Sequence, residues 1–315
     1  MAADSTRQVS VDQLVGRRLV VPGSTSNLAC GFDAVGLALQ VHLTLSIRDA
    51  SDDGAARVTW QFASGPLNGE NAIERGYRRG LDDFAPAVPV PSLVVDVHTD
   101  IPMRAGLGSS AAALVAGLRL AELVSTEQPV DRLLRVAASL EGHPDNTSAS
   151  LLGGFVVAAA LEDGSIVARP TPWPLNWAIL VATPSLGLET KVARAALPSS
   201  YSLGDAVFNL QRVALLVDAV HREDAQALSC ALADRLHQPY RAPLVPGLAE
   251  ASNWPLRDGF LGAFLSGAGP SIAAFADRRV PGAVERTRHN LEALFDRLNL
   301  PVAVRTIDAG PVQRR

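Results

Sequence analysis

Lysine is almost missing from this chain: 28 of its 315 residues are basic, and Lys191 is the only lysine among them. A Walker phosphate loop needs a lysine directly after its glycines, so that route to nucleotide binding is excluded. Cysteine is equally sparse. Cys30 and Cys230 lie far apart with no C-x-x-C spacing, which argues against a disulfide framework or a zinc site and suits a reducing cytosol. There is no surplus of either charge, the net value being −4 and the pI about 5.9, and no block of like charges. Neither a nucleic-acid surface nor a membrane patch is expected. The polar N-terminus lacks the apolar core of a signal peptide, no segment has the length of an apolar membrane span, and no internal repeat is present. A cytoplasmic protein is expected.

What the chain does have is apolar bulk, 48% of residues, with 19% charged, enough for two medium cores. It is organised around Ile101 to Leu123, which reads as a strand exit, a glycine-serine loop and a helix. Gly106 and Gly108 can take backbone angles closed to other residues and let a ligand approach the main chain. Ser109 and Ser110 are natural N-cap residues, and a helix start offers unpaired N–H groups with a partial positive charge. Such a loop can cradle phosphate. Its spacing also satisfies the dinucleotide fingerprint. That fold, however, places the loop after its first strand, whereas here about a hundred residues precede it.

Taken in order, Arg18 to Pro22 is predicted as a first strand, and Gly23 to Asp33 as a polar loop carrying Asn27 and Asp33. Alternation from Leu37 to Ile47 predicts a strand, with a hairpin tip at 49–54 and a return strand from Arg57 to Phe62. A helix follows from Asn71, its candidate cap, to Phe84. A stiff proline-rich loop at 85–91 then leads to the strand from Ser92 to Thr99. Past the glycine loop, a helix from Pro129 to Leu140 runs into Glu141-Gly-His-Pro-Asp-Asn146, predicted as a polar loop. Glu141 or Asp145 there suits Mg²⁺ beside a phosphate site. The Pro-Trp-rich stretch 170–177 is the expected boundary between an N-terminal lobe with the glycine-serine phosphate loop (1–170) and a C-terminal lobe (171–315). The second half is predicted as a strand at 178–183, helices at 189–197, 205–220 and 224–236, and a strand, glycine turn and strand across 260–275. A helix at 281–298 and a strand at 302–307 complete it.

Pro22 to Asp33, Pro102 to Ala112 and Leu265-Ser-Gly-Ala-Gly-Pro-Ser271 together resemble the three ordered motifs of the GHMP small-molecule kinases. Glu141 to Asn146, Phe208-Asn-Leu-Gln-Arg212 and Leu236-His-Gln-Pro-Tyr-Arg241 resemble features of the homoserine kinase branch. The resemblance covers nearly the whole chain. It implies an α+β, two-lobed GHMP kinase fold, with an N-terminal lobe like ribosomal protein S5 and a ferredoxin-like C-terminal lobe. It also implies Mg²⁺ and transfer of the γ-phosphoryl group of ATP to the side-chain hydroxyl of L-homoserine, on the route to threonine, and is compatible with a homodimer.

On that resemblance Asn71, Pro102, Arg104, Ala105, Gly106, Leu107, Gly108, Ser109 and Ser110 bind ATP, and Ser109 with Glu141 holds Mg²⁺. Asn27, Asp33, His143, Arg194 and Arg241 bind the amino acid, where an arginine fork suits a carboxylate. Asn146, Thr190 and Arg194 lie at the transferring phosphate. Some related kinases carry an aspartate base where this chain has Asn146, which cannot take a proton, so positioning and charge stabilisation are expected to supply the rate. Cys30 and Thr147-Ser148 depart from the family pattern. Phosphorylation of another small alcohol, or a catalytically silent ligand sensor on the same fold, are the alternatives.

Overall fold

The computed structural model of the protein describes residues 10–65, 69–84 and 89–313. A short helix α1 (Val11–Leu14) is followed by β1 (Arg18–Ser26), the long β2 (Val35–Ser51), β3 (Val58–Phe62), α2 (Ala72–Phe84) and β4 (Ser92–Thr99). Then come α3 (Ser109–Val124), α4 (Val130–Glu141), α5 (Asp145–Leu152), β5 (Phe155–Ala160) and β6 (Ile166–Thr171). These strands form one sheet in the order β3-β4-β2-β5-β6, with β1 paired to β2 beside that path.

The second sheet comes from β7 (Trp177–Pro184), β8 (Phe260–Leu265), β9 (Ile272–Asp277) and β10 (Val302–Ile307). Between β7 and β8 run α6 (Thr190–Ala195), α7 (Leu203–Arg222), α8 (Ala225–Ala231), α9 (Gln238–Arg241) and α10 (Leu248–Ala251), and α11 (Ala283–Arg297) joins β9 to β10. Its order, β10-β7-β9-β8, is antiparallel throughout, with first and last strands adjacent, which is the ferredoxin-like arrangement expected. Sheets with helices packed on them give the α+β class.

Four local expectations are corrected. Strand β1 continues past Pro22 to Ser26, because after a bulge at Pro22/Gly23 the buried Ser24, Thr25 and Ser26 pair with Ala38, Leu37 and Gly36. Strand β3 is not the return arm of a hairpin. It lies parallel to β4, whose Leu93, Val95 and Val97 are buried beside β2, while β3, with no fully buried residue, takes the edge. The expected polar loop at 141–146 ends inside a helix, since Asp145 and Asn146 open α5 and are 1% and 8% exposed. The helix expected through Leu236 stops at Ala231, where the chain turns around Asp234.

Helix α3 sits between the sheet and α2. A Cβ at Gly76 would stand 2.3 Å from the Leu114 carbonyl oxygen, and one at Gly117 would stand 2.1 Å from that of Ile73, so the two backbones touch. That contact anchors the middle of α3, the helix whose start receives the glycine loop. After β10, residues 308–313 return to the first sheet: Gln40 N–H donates to Asp308, Gly310 N–H to Ala38, Gly154 N–H to Gly310 and Gln313 N–H to Leu152, at 2.8–3.0 Å. Among the described residues no helix is long and apolar enough to cross a membrane. The expectations for residues 1–9 and for the proline-rich loop at 85–88 lie outside the described residues.

Candidate active site

Three segments far apart in the chain are tied together at one point. Ser24 N–H on β1 donates to the Leu107 carbonyl at 3.1 Å, and Ser266 Oγ lies 2.8 Å from Thr25 Oγ1 and 2.7 Å from the Gly106 carbonyl. Asn27 Nδ2 donates to the Gly267 carbonyl at 3.0 Å. The polar run of β1, the glycine-serine loop and the 266–271 turn therefore support one another, and the buried hydroxyls of Ser24, Thr25, Ser26 and Ser266 each find a partner.

The loop's glycines are required by space as well as angle. Gly106 has φ +73°, and a Cβ there would lie 2.2 Å from the Ser266 carbonyl oxygen; Gly108 has φ +67°, and a Cβ would lie 2.1 Å from Ser24 Oγ. Gly108, left-handed, is the N-cap of α3, so the expectation of a serine cap is corrected: Ser109 and Ser110 occupy the first turn and make no capping bond. No acidic residue lies in that turn, so its N–H groups and partial positive charge are open to an anion. Glu141, at the end of α4, accepts from Ser110 Oγ at 2.9 Å. A carboxylate and serine hydroxyls at a phosphate-type helix start form an all-oxygen donor set, which fits Mg²⁺. The serine at Glu141 is thus Ser110, the neighbour of the expected Ser109.

A cavity of about 440 Å³ extends from this loop to a cluster of charged side chains. Asp33, at φ +56°, pairs with both Arg194 guanidinium nitrogens at 2.8 and 3.0 Å. Burial opposes the Arg194 charge, but the Asp33 pairing outweighs it and raises the guanidinium pKa. Arg241 is 2% exposed; its Nε donates to the Ala193 carbonyl at 3.1 Å and its Nη1 to that of Gly267 at 3.3 Å. Burial, then the Arg194 charge, lowers its pKa. His143 Nδ1 lies 2.5 Å from Asp145 Oδ1. Burial works against both ions, yet their mutual bond and charge outweigh it, holding the Asp145 carboxyl below its ordinary range and lifting His143 above its own.

Asn146 is fully engaged. It accepts from Ser24 Oγ at 2.8 Å and donates to Ser26 Oγ at 2.8 Å, which pins the start of α5 to β1. Of the residues singled out from the sequence, Asn27, Asp33, Asn71, His143, Asn146, Thr190, Arg194, Arg241, Glu141 and the stretch Arg104 to Ser110 line the cavity. Pro102 does not. Asn71 also caps α2, its Oδ1 accepting from Ile73 and Glu74 N–H. Ser24, Ser26 and Ser266 have no role among the expectations from sequence. Their signal was a polar run alternating into a strand, which resembles any loop until its partners are known.

The family model for the GHMP kinases N terminal domain matches residues 71–154, and that for the GHMP kinases C terminal matches 216–295. A homoserine kinase of Thermus thermophilus is 43% identical over 82% of this chain and 86% of its own length. That of Moorella thermoacetica is 39% identical over 83% and 88%. Among solved structures, homoserine kinase from Cytophaga hutchinsonii superposes with a TM-score of 0.80 at 27% identity, covering 93% of this chain and 94% of that one. Methanococcus jannaschii mevalonate kinase reaches 0.65 at 13% identity, over 93% and 98%, which is likeness of fold alone. With both family models matched in order around an interlocked phosphate-type loop, and close relatives covering most of its length, this chain belongs to the GHMP kinases, on their homoserine kinase branch.

Proposed function

We propose that the protein transfers the γ-phosphoryl group of ATP to the side-chain hydroxyl of L-homoserine, giving O-phospho-L-homoserine for threonine biosynthesis in the cytoplasm. The observation that carries this is one cavity with an anion-binding helix start at one end and, at the other, an acid and two arginines, the charges that a zwitterion needs.

Gly106, Gly108 and the first-turn N–H groups of α3 would receive the phosphates, with Asn71 toward the base. Mg²⁺, held by Glu141 with the Ser109 or Ser110 hydroxyl, supplies charge neutralisation on the transferring phosphate. At the other end, Asp33 and Asn27 take the ammonium group, and Arg241 and Arg194 the carboxylate. Asp33 and Arg194 are paired with each other, so a zwitterion bound between them would exchange partners and leave neither charge alone. His143 and Asp145 border the path of the hydroxyl. Asn146 orients rather than accepts a proton, because both its amide atoms are committed to β1 serines, and a loose phosphoryl-transfer transition state asks mainly for alignment and charge.

The test is a coupled ADP-release assay with Mg-ATP and L-homoserine, D-homoserine, L-serine, L-threonine and mevalonate. Turnover strongly favouring L-homoserine is expected. Preference for another alcohol would overturn the substrate, and no turnover with any would overturn catalysis in favour of ligand sensing.

A further inference from the structure

The Phe208 to Arg212 and Leu236 to Arg241 segments supply one residue to the cavity, Arg241, and the rest of their polar chemistry sits behind it. His237 and Asp234 are completely buried in their side chains. His237 Nε2 lies 2.7 Å from the Ala29 carbonyl. A carbonyl only accepts, so Nε2 carries the proton, and Nδ1, 3.4 Å from Arg241 Nη1, is left as an acceptor for a guanidinium that only donates. That arrangement requires a neutral imidazole, and burial pushes its pKa down accordingly. The ring stacks on Phe32 at 5.1 Å, and Phe32 in turn lies under the guanidinium groups of Arg241 and Arg194 at 5.3 and 5.6 Å.

Asn209 does the matching task one residue along. Its Nδ2 donates to the Cys30 carbonyl at 3.0 Å and to Asp234 Oδ1 at 2.8 Å. Asp234 also accepts from the N–H groups of Leu236, His237 and Gln238, so it sets the turn that delivers both His237 and Arg241. The loop held this way needs holding: Asn27, Leu28 and Ala29 are three successive non-glycine residues in the left-handed region, at φ 70°, 41° and 63°. Each such residue is disfavoured by itself and persists only when its surroundings impose it.

We propose that His237, with Asn209 and Asp234, is a positioning residue for amino-acid binding: it fixes the Asn27 to Asp33 loop and the Arg241 guanidinium at one separation, so that the two charged ends of the substrate are met together. This rests on the function proposed above. His237 does not line the cavity and acts through Arg241 and Ala29. The loop by itself would relax toward ordinary backbone angles, carrying Asn27 and Asp33 away from the arginines.

The experiment compares wild type, His237→Phe, Arg241→Ala and the double variant in the full chain, measuring kcat and both Michaelis constants. Phenylalanine keeps the stacking on Phe32 and removes both hydrogen bonds. We expect His237→Phe to raise the amino-acid KM about tenfold or more, with the ATP KM within about twofold. On the Arg241→Ala background the added loss should be smaller than on wild type, because one of the two partners it acts through is gone. His237→Gln, whose amide can still donate to Ala29, should recover part of the loss. Multiplying losses in the double variant, or equal rises in both KM values, would overturn the proposal. If His237→Phe does not fold, Asn209→Ser carries the same expectation, and failure of both to fold would assign the network to stability alone. Wild-type turnover of L-homoserine tests the functional reading separately, and the ratios among variants can be taken with whichever amino alcohol the wild type accepts.

Discussion

At one end of the cavity the wall is main chain: two left-handed glycines, a helix start and the carbonyls of a second glycine turn pressed against them. At the other end it is side chain: Asn27 and Asp33 from one loop, His143 before α5, Arg194 from α6 and Arg241 from α9. The difference follows from the ligands each end would meet. A phosphate has the same oxygens in every nucleotide, so fixed N–H groups serve it, whereas telling one small alcohol from another takes charged groups at chosen separations. The backbone end should therefore fail through sterics and affect ATP, and the side-chain end through lost charge and affect the acceptor.

The sharpest way to break that division is Gly106→Ala. The added carbon meets the Ser266 carbonyl at 2.2 Å and cannot be relieved by rotating a side chain, so kcat/KM for ATP should drop about a hundredfold or more. Activity within threefold of wild type would mean the loop is softer than its packing implies. Arg241→Ala should raise the L-homoserine KM by roughly thirty- to a hundredfold while the ATP KM holds, and a change confined to ATP would sink the assignment. Asn146→Asp removes the donor to Ser26 and sets a second carboxylate beside Asp145, so turnover should fall by about tenfold. A rise of roughly an order of magnitude with unchanged binding would instead reveal that a base had been missing.

The smallest effect concerns pH. His143 has a folded-state pKa raised above its ordinary value of about 6.5, so the stability it contributes is present below that value and is lost as pH climbs through the raised one. The Tm gap between wild type and His143→Gln should narrow as pH rises from about 6.5 through that raised value. A gap constant across that range would show that the ring contributes by packing alone.

The same contrast explains what could be read from the sequence. A backbone site needs contiguous residues, and Gly106 to Ser110 stood out because glycine spacing and a helix start are local signals. The order of the three motifs then gave the two-lobed fold. The charged end comes from four separated segments, and the resemblance, rather than any spacing, brought Asp33, Arg194 and Arg241 together. Ser24, Ser26 and His237 stayed silent because a buried hydroxyl or imidazole is indistinguishable from a surface one until its partner is known. Strand β3 was misplaced for a similar reason: alternation says which face is buried, not which neighbour a strand pairs with.

The returning segment at residues 308–313 has a consequence for how the chain is made. Ala38, Gln40, Leu152 and Gly154 pair with it, so the sheet that carries β1 and α5 leaves the ribosome with part of its hydrogen bonding unmet. Its completion waits for residues synthesised after the whole of the second sheet. The half of the molecule that bears the glycine loop is thus translated ahead of the second sheet, yet it gains these hydrogen bonds only after β10 has been made.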